Sequence, residues 1–445
     1  MSAYITLELE HTLKEILQVV KPQQGDRSTR LQVINELQGV VESVESLRGA
    51  TVEPFGSFVS NLFTRWGDLD ISIDLPNGAY ISSAGKKRKQ NLLVDFQKAL
   101  RKMGGWRRIK YIPNARVPIL KFESSRQSIS CDVSIDNLQG QMKSKLLFWI
   151  SEIDERFHDM VLLVKEWAKA HDINNPKSGT FNSYSLSLLV IFHFQTCEPA
   201  ILPPLRDIYT GNVADDLQGV RANVERHIAE TCAANIGRFR QNRSRKVNRS
   251  SLSELFRSFL AKFSNIGLRA SEQGICPYTG KWEFIRSNMR WLPKTYAIFI
   301  EDPFEQPENS ARTVSMGNLT RISEAFERSH HRLSSADQNQ GSLLATLVPP
   351  QVSQYIARAT PLPSPMYNGR RYHPQPTRPQ MYRNMHTPSQ TQHQFQNMRL
   401  ETPQTQHQFQ NMTRPVQANH YSTMTRPVQA NHNQGQQRWR ARSDR

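Results

Sequence analysis

Cysteine is scarce in this chain, which has four in 445 residues, at positions 131, 197, 232 and 276. They are widely spaced, and none belongs to a CxxC pair or to the cysteine and histidine spacing of a zinc finger. The sequence therefore excludes a disulfide-stapled secreted scaffold. It predicts buried thiols in a reducing compartment.

Long apolar runs are also missing. The richest, SLSLLVIFHF at 185–194, is too short to cross a bilayer. The N-terminal segment MSAYITLELEHTLKEILQVV carries Glu8, Glu10 and Glu15 among its apolar residues, which excludes the apolar stretch of a signal peptide and predicts an amphipathic helix. We therefore expect no membrane partner, and a location in the cytoplasm, the nucleus or both.

Acidic residues are outnumbered, with 39 against 57 lysines and arginines, so the formal net charge is +18. A field of this sign favours a polyanionic partner, either nucleic acid or an anionic membrane surface. Residues 335–445 contain twelve arginines, no lysine and three acidic residues. Half of the net charge therefore lies in this C-terminal part, and the other half in the rest of the chain.

The C-terminal part is rich in Gln, Asn, His, Pro, Thr and Arg, and it contains two short repeats. QTQHQFQNM occurs at 390–398 and 404–412, and TRPVQANH at 413–420 and 425–432. The repeats are too short for a solenoid and too polar to build a core, so we predict a disordered tail over 333–445. Arginine mixed with aromatic residues and amides favours loose RNA contact and recruitment to RNA granules.

The rest of the chain changes its hydrophobic period twice. Residues 1–50 predict two amphipathic helices, which we expect to pack on a discontinuous second domain. Residues 51–140 alternate with a period of two in LDISID, RIKYI, VPILKFE and SISCDVSID, around one helical stretch, and predict a catalytic unit with a mixed sheet. Residues 141–332 return to helical patterns. The fold class is α+β.

The segment FGSFVSNLFTRWGDLDISIDL, at 55–75, contains the first candidate site. In a strand, Asp68 and Asp70 project to one side while the apolar residues between and after them face the core. Two adjacent carboxylates repel each other unless a cation lies between them, and hard oxygen ligands suit Mg²⁺ or Mn²⁺. Most lone Asp-x-Asp pairs are solvated turn residues, so the interpretation depends on the neighbours of this pair.

Two neighbours strengthen the metal-site interpretation. Gly56 and Ser57 lie upstream, where backbone N–H groups and the hydroxyl can approach a phosphate. Asp132 opens a second strand pattern and can face the first pair across a sheet, which predicts a two-metal site for an in-line displacement. Asp74 and Asp136 lie too far along their strands, so we leave both outside the ligand set.

This constellation resembles the DNA polymerase β-like nucleotidyltransferases. IEDPFEQPENSARTV, at 300–314, is similar to the signature of the associated domain in poly(A) polymerases and terminal uridylyltransferases. The longer stretch PYTGKWEFIRSNMRWLPKTYAIFIEDPFEQPEN resembles plant terminal uridylyltransferases that tail unmethylated small RNAs. The resemblance covers roughly residues 1–330. It implies metal ligands at Asp68, Asp70 and Asp132, and a triphosphate contact at Ser57.

Four further residues are candidates for the nucleotide site. Lys165 and Lys169 are spaced to share one helical face, where their ammonium groups can meet the β and γ phosphates, although a solvated face is the alternative. The resemblance implies that Ser183 lies near the triphosphate and that Tyr184 stacks under the base. Tyr184 could otherwise be a core aromatic residue.

The resemblance also implies that the base edge meets Asp302 and Glu305. Some similar uridylyltransferases carry a histidine three residues after the second acid, but this chain has Glu308 there. A second departure is Lys143, where related enzymes often carry an asparagine that contacts the ribose. The preference for UTP therefore depends on the overall likeness to the plant enzymes.

The predicted activity is template-independent transfer of UMP from UTP to RNA 3′ ends, above all of small RNAs, and thereby their decay. A poly(A) polymerase that uses ATP and a non-catalytic granule scaffold are the rival hypotheses. An Argonaute protein is a candidate partner through the resemblance. The candidate acceptor-binding strip, which we expect to be a loop, comprises Arg238, Arg240, Arg243, Arg245, Lys246 and Arg249. A solvated, disordered loop is the alternative.

Overall fold

A five-stranded mixed sheet carries the predicted acidic residues at its centre. The computed structural model describes residues 2–292, 295–335 and 339–359, so most of the predicted tail lies outside the described residues. The strand order is β1-β2-β5-β4-β3; only β2 and β5 run parallel to each other. The strands are β1 (Thr51–Phe55), β2 (Leu69–Asp74), β3 (Trp106–Ile112), β4 (Ile119–Ser124) and β5 (Ser130–Ile135).

One face of this sheet is covered by a long amphipathic helix, α4 (Lys86–Met103). Its apolar stripe buries Leu93 and Phe96, and Phe96 contacts Phe122 of β4 at 6.3 Å between ring centroids. Strand residues alternate between faces, so Lys121, the neighbour of Phe122, lies on the opposite face. That second face is the one that carries the acidic residues.

The two N-terminal helices pack on different parts of the molecule. Helix α1 (Ser2–Val20) lies against helices α6 (Glu155–Ala170) and α10 (Leu252–Phe263). Helix α2 (Gln24–Glu42) packs instead against β1 and α4, contrary to the prediction that residues 1–50 pack on the second domain. The apolar side chains of α2, which include Val33 and Leu37, are buried in this contact.

The helical part is centred on α6 and α7 (Ser183–Thr196), which pack on each other and bury most of their residues. A two-stranded hairpin interrupts it before the segment that contains Asp302. The remaining elements are α3 (Gly56–Val59), α5 (Leu138–Ser151), α8 (Val213–Asp216), α9 (Arg221–Gln241), α11 (Ile266–Arg269), β6 (Gln273–Cys276), β7 (Lys281–Phe284) and α12 (Met316–Ser334).

The predicted tail boundary at residue 333 is wrong. Helices α13 (Gln340–Leu347) and α14 (Pro350–Ala359) follow α12 and pack on α6 and α1. They bury Leu343, Leu347, Val352 and Ile356, which is enough apolar area to hold two short helices on the body. No helix among the described residues has the length and apolar character needed to span a membrane.

Candidate active site

The central pair of acids is formed by two parallel strands. Asp70 of β2 and Asp132 of β5 are direct register partners, so their side chains share one face of the sheet. Asp68 lies immediately before β2, exposed, two residues from Asp70 and with the same parity. The structure therefore places Asp70 and Asp132 side by side, with Asp68 two residues before Asp70 on the same side of the strand.

Positive charge compensates this pair only in part. The pKa of Asp70 is raised to about 7, mainly by burial and also by the neighbouring charges of Asp132 and Asp68. Burial also raises the pKa of Asp132, against the opposing effect of Lys121, whose Nζ lies 2.6 Å from Asp132 Oδ2. The other oxygen of Asp132, Oδ1, is buried without a hydrogen-bond partner among the described residues.

These carboxylates fit divalent cations, because unpaired buried oxygens and mutual repulsion are what a cation relieves. Within residues 2–292, 295–335 and 339–359, however, no three acidic, histidine or cysteine side chains already form a closed ligand set. The Lys121 ammonium occupies one side of Asp132 instead. Cation binding at this pair therefore has to displace Lys121 from Asp132 Oδ2 or leave that oxygen unused.

Gly56 makes room for Asp70. A Cβ at position 56 would lie 2.0 Å from Asp70 Oδ2, and the residue has φ +65°. Its amide donates to Ser144 Oγ at 2.7 Å, so the expected approach of this N–H to a phosphate is not possible while that bond exists. Gly56 acts here through the space that it leaves rather than through its amide.

Of the predicted phosphate contacts, Lys165 lies close enough to Asp70 for their charges to interact, and Lys169 interacts with Lys165. The Ser57 hydroxyl has no hydrogen-bond partner among the described residues. Lys165 is buried and donates to the Leu62 carbonyl at 2.6 Å; its pKa is lowered to about 8, mainly by burial and also by the charge of Lys169. Lys169 pairs with the buried Glu166 at 2.6 Å. A phosphate here would meet two ammonium groups that already have partners.

The two acids left outside the ligand set have structural roles. Buried Asp74 accepts hydrogen bonds from Ser72 and Gln141 and forms an ion pair with Arg221 at 2.7 Å. Asp136 accepts from the backbone N–H groups of residues 75 and 84. Both side chains are thus saturated, in contrast to Asp132.

A second buried group of acids lies in the segment after the two-stranded hairpin. The Tyr184 hydroxyl donates to Asp302 Oδ1 at 2.9 Å. Lys143, one of the two departures from the family pattern, donates to Asp302 and to Glu305 at 2.5 Å each, with its Nζ 5.6 Å from the centre of the Tyr184 ring. Burial opposes the charge on Lys143, but the two acids outweigh it and raise its pKa.

Arg116, in the loop between β3 and β4, reaches the same acids from the sheet. Its guanidinium contacts both Glu305 oxygens, at 2.7 and 2.9 Å. Burial alone would raise the pKa of Glu305, but Arg116 and Lys143 reverse the direction and lower it. Glu308, the other departure from the family pattern, lies between Arg116, at 3.6 Å, and Arg312, at 3.5 Å. Its negative charge is therefore neutralised by two arginines.

The other predicted contacts are less closely grouped. Exposed Ser183 exchanges hydrogen bonds with Asn174 at 3.2 and 3.3 Å. The predicted acceptor strip is only partly a loop, because α9 continues to Gln241 and includes Arg238 and Arg240. Within the strip, Arg240 donates to the Glu152 carbonyl, and Arg245 donates to the Ile201 carbonyl at 3.3 Å and lies over the Phe239 ring.

Two residues that position the metal-site acids or their loop were not predicted from the sequence. Lys121 is invisible as a partner of Asp132 until the pairing of β4 with β5 is known. Arg30 of α2 is buried and donates to the carbonyls of Arg65 and Gly67, which fixes the loop just before Asp68. An arginine inside the apolar stripe of a helix was the only sequence signal for the second.

Comparison with known proteins supports this fold. Residues 9–152 match the family model of the central palm domain of mitochondrial-like poly(A) RNA polymerase. The chain is 59% identical to Protein HESO1 of Arabidopsis thaliana over 84% of its own length and 73% of that protein. It is 26% identical to the poly(A) RNA polymerase GLD2 of Bos taurus over 62% of its own length and 55% of that relative.

A solved structure of similar fold is that of the Cid1 poly(U) polymerase with MgGTP bound. It matches with a TM-score of 0.60 and 23% identity, over 77% of this chain and 99% of that one. The fold and the similarity to these relatives define a polymerase β-like RNA nucleotidyltransferase. The chain belongs to the poly(A) polymerase and terminal uridylyltransferase family that includes HESO1.

Proposed function

We propose that this protein is a template-independent RNA uridylyltransferase that adds UMP from UTP to RNA 3′ ends. The observation that carries the proposal is the pairing of Asp70 with Asp132 on adjacent parallel strands, with one buried carboxylate oxygen left without a partner among the described residues. Family membership supplies the reaction class, and the similarity to HESO1 supports small RNAs as acceptors.

Asp68, Asp70 and Asp132 would hold two divalent cations, Mg²⁺ or Mn²⁺. When bound, such ions activate a hydroxyl and neutralise the leaving pyrophosphate. Ser57, Lys165 and Lys169 meet the triphosphate from the β1 side of the acids. The lysine charges offset the negative charge that develops on the leaving group. No protein nucleophile is required, because the RNA 3′-hydroxyl attacks the α-phosphate in line.

The base is held at the second group of acids. Tyr184 provides a ring for stacking, and its hydroxyl fixes Asp302. Uracil presents an N3–H donor between two carbonyl acceptors, so an ionised carboxylate beside an ammonium donor matches one edge of the ring. Asp302 and Lys143 provide that pair 2.5 Å apart. Adenine offers an amino donor beside a ring acceptor, an arrangement that a carboxylate beside an ammonium group also matches. The residues around Asp302 and Lys143 therefore decide the choice of nucleotide.

The choice of acceptor RNA depends on the surface or partner that binds the RNA upstream of its 3′ end. We propose unmethylated small RNAs, whose tailing promotes their decay, with an Argonaute protein as the partner that presents them. We also retain the cytoplasm, including RNA granules, and the nucleus as the proposed locations. Pull-down of the full chain from cell extract, with bound RNA sequenced at its 3′ ends, tests the acceptor class directly.

The activity itself is tested by extension of a labelled RNA with each nucleoside triphosphate separately. We expect the fastest growth with UTP in the presence of Mg²⁺ or Mn²⁺ and none after chelation. Faster growth with ATP would make the protein a poly(A) polymerase. No growth with any nucleotide, from a protein that still binds RNA, would favour the scaffold hypothesis.

A further inference from the structure

The metal-site acids continue as a row of charged residues that runs across the sheet to its open edge. Asp70 on β2 pairs in register with Asp132 on β5, Asp132 with Lys121 on β4, and Lys121 with Lys110 on β3. Register partners share a face, so all four side chains project to the side opposite α4. The row contains two acids and then two lysines.

Lys110 ends this row on the surface. Strand β3 is the edge strand of the sheet, and Lys110 is exposed, with no acidic partner among the described residues. On the same strand, Arg107 and Arg108 are exposed, and both form ion pairs with Glu123, Arg108 at 2.9 Å. One carboxylate between two guanidinium groups leaves this edge with a net positive charge.

The surrounding sequence is the most basic part of the described chain that we find. Residues 85–126, which form α4, β3 and β4, contain thirteen lysines and arginines and two acidic residues. Their net charge of +11 exceeds the +9 of the whole chain before residue 335. Seven of the thirteen lie on α4, which covers the opposite face. The other six lie in β3, β4 and their loops, beside a single acid, Glu123, so this part of the sheet is itself positively charged.

The reaction geometry selects the same end of the sheet. In an in-line displacement the attacking hydroxyl lies opposite the leaving group. Ser57 and Lys165 place the leaving pyrophosphate on the β1 side of the acids, since Ser57 follows β1 directly and Lys165 contacts the Leu62 carbonyl. The RNA terminus then has to approach from the opposite side, over β4 and β3.

We infer that the acceptor RNA leaves the metal site across this face, with its phosphodiester backbone passing Lys121 and then Lys110 at the β3 edge. This inference depends on the proposed transferase function and locates its acceptor. Strands are about 4.8 Å apart, so Lys110 stands roughly 10 Å from Asp132. That distance is about three nucleotides at the rise of a stacked strand.

The length dependence makes the inference testable. The test compares Lys110→Ala and Lys110→Glu with Lys281→Ala, a matched control on the exposed strand of the other sheet, and with the double variant Arg243→Ala/Lys246→Ala in the rival strip. Binding to a 3′-blocked single-stranded RNA is measured by fluorescence anisotropy at several salt concentrations. The KM for acceptors from a dinucleotide to about sixteen nucleotides is measured at saturating UTP.

We expect Lys110→Ala to weaken RNA binding about threefold and to lower the slope of log K against log salt by about 0.7, the loss of one phosphate contact. Lys110→Glu should weaken it further, and the rise in acceptor KM should grow once the acceptor exceeds about three nucleotides. The Lys281→Ala control should match the unsubstituted protein. Melting temperatures of all variants exclude unfolding as the cause.

Wild-type binding by both Lys110 variants would overturn the inference, as would an equal loss on the dinucleotide and on long acceptors. A loss confined to the Arg243→Ala/Lys246→Ala variant would move the RNA path to the rival strip and equally overturn it. Failure of the proposed function is distinguishable, because it appears as binding without nucleotide transfer by the unsubstituted protein.

Discussion

The two groups of acids, Asp70 and Asp132 at what we call the metal end and Asp302 and Glu305 at the base end, hold their carboxylates in opposite states. At the metal end, Asp70 and Asp132 lie side by side, both have raised pKa values, and one oxygen has no partner among the described residues. At the base end, Asp302 accepts hydrogen bonds from Tyr184 and Lys143, and the pKa of Glu305 is lowered by Arg116 and Lys143.

The difference shows which end needs a ligand to become stable. Repelling carboxylates destabilise a fold until a cation binds, whereas saturated carboxylates are already oriented without one. The acids at the metal end therefore need bound cations to relieve their repulsion. The base end is a preformed frame, so its residues should affect nucleotide choice and KM more than the chemical step.

The largest expected effect comes from Asp70→Asn. The amide removes a metal ligand, and we expect UMP transfer to fall about a thousandfold or more, because ion-assisted neutralisation of the reacting groups is lost. Single-turnover transfer to a labelled RNA measures it. Asp74→Asn is the control for a nearby acid, since it should lower thermal stability through lost ion pairing with Arg221 before it alters the chemistry.

The same substitution should stabilise the metal-free protein at high pH. A carboxyl group whose pKa is raised to about 7 in the folded state holds its proton more tightly there than in the unfolded chain. Its ionisation therefore costs stability as the pH rises from about 4 to about 7. In EDTA the melting temperature of Asp70→Asn should exceed that of the unsubstituted protein at pH 8 and match it at pH 4, and equal values at both would contradict the proposed repulsion.

Gly56→Ala should have the next largest effect. The added methyl group would lie 2.0 Å from Asp70 Oδ2, so the carboxylate must move, and transfer should fall about a hundredfold. Gly78 is a matched control, because it has nearly the same φ, +66°, but open space around its Cβ position. If Gly78→Ala reduced transfer as much as Gly56→Ala, backbone strain rather than the displaced carboxylate would be responsible.

Lys143→Asn should have a moderate effect confined to the nucleotide. Without the ammonium group, Asp302 and Glu305 lose a shared partner, and we expect the KM for UTP to rise about tenfold and the ratio of UTP to ATP incorporation to change. Steady-state kinetics with each nucleotide measures both. Lys145→Asn, on the same helix but paired with Glu225, should leave the ratio unchanged.

The sequence predicts the acids better than their partners, and the reason is the range of the interactions. The alternation that buries Leu69, Ile71 and Ile73 and projects Asp70 is local, so it can be read from a few residues. Lys121 meets Asp132 only because β4 pairs with β5, and Arg116 meets Glu305 only because two distant segments are in contact. Neither residue belongs to a sequence pattern that announces its partner. Their roles therefore could not be predicted.

The tail boundary was missed for a related reason. Leu343 and Leu347 are four residues apart, and so are Val352 and Ile356, which is typical of short amphipathic helices. Alone, such helices are too short to be stable in water, and they depend on burial against α1 and α6. The polar composition that follows residue 360 outweighed this weak signal.

The smallest expected effect is that of Arg116→Lys, which tests whether the base end is fixed by geometry or by charge alone. Lysine keeps the positive charge but cannot contact both Glu305 oxygens as the planar guanidinium does at 2.7 and 2.9 Å. We expect the KM for UTP to rise about threefold with little change in kcat, and Arg116→Ala to raise it further. Since Lys143 still holds Glu305, an effect of Arg116→Lys as large as that of Lys143→Asn would mean that the bidentate contact, rather than the shared ammonium, orients the base-edge acids.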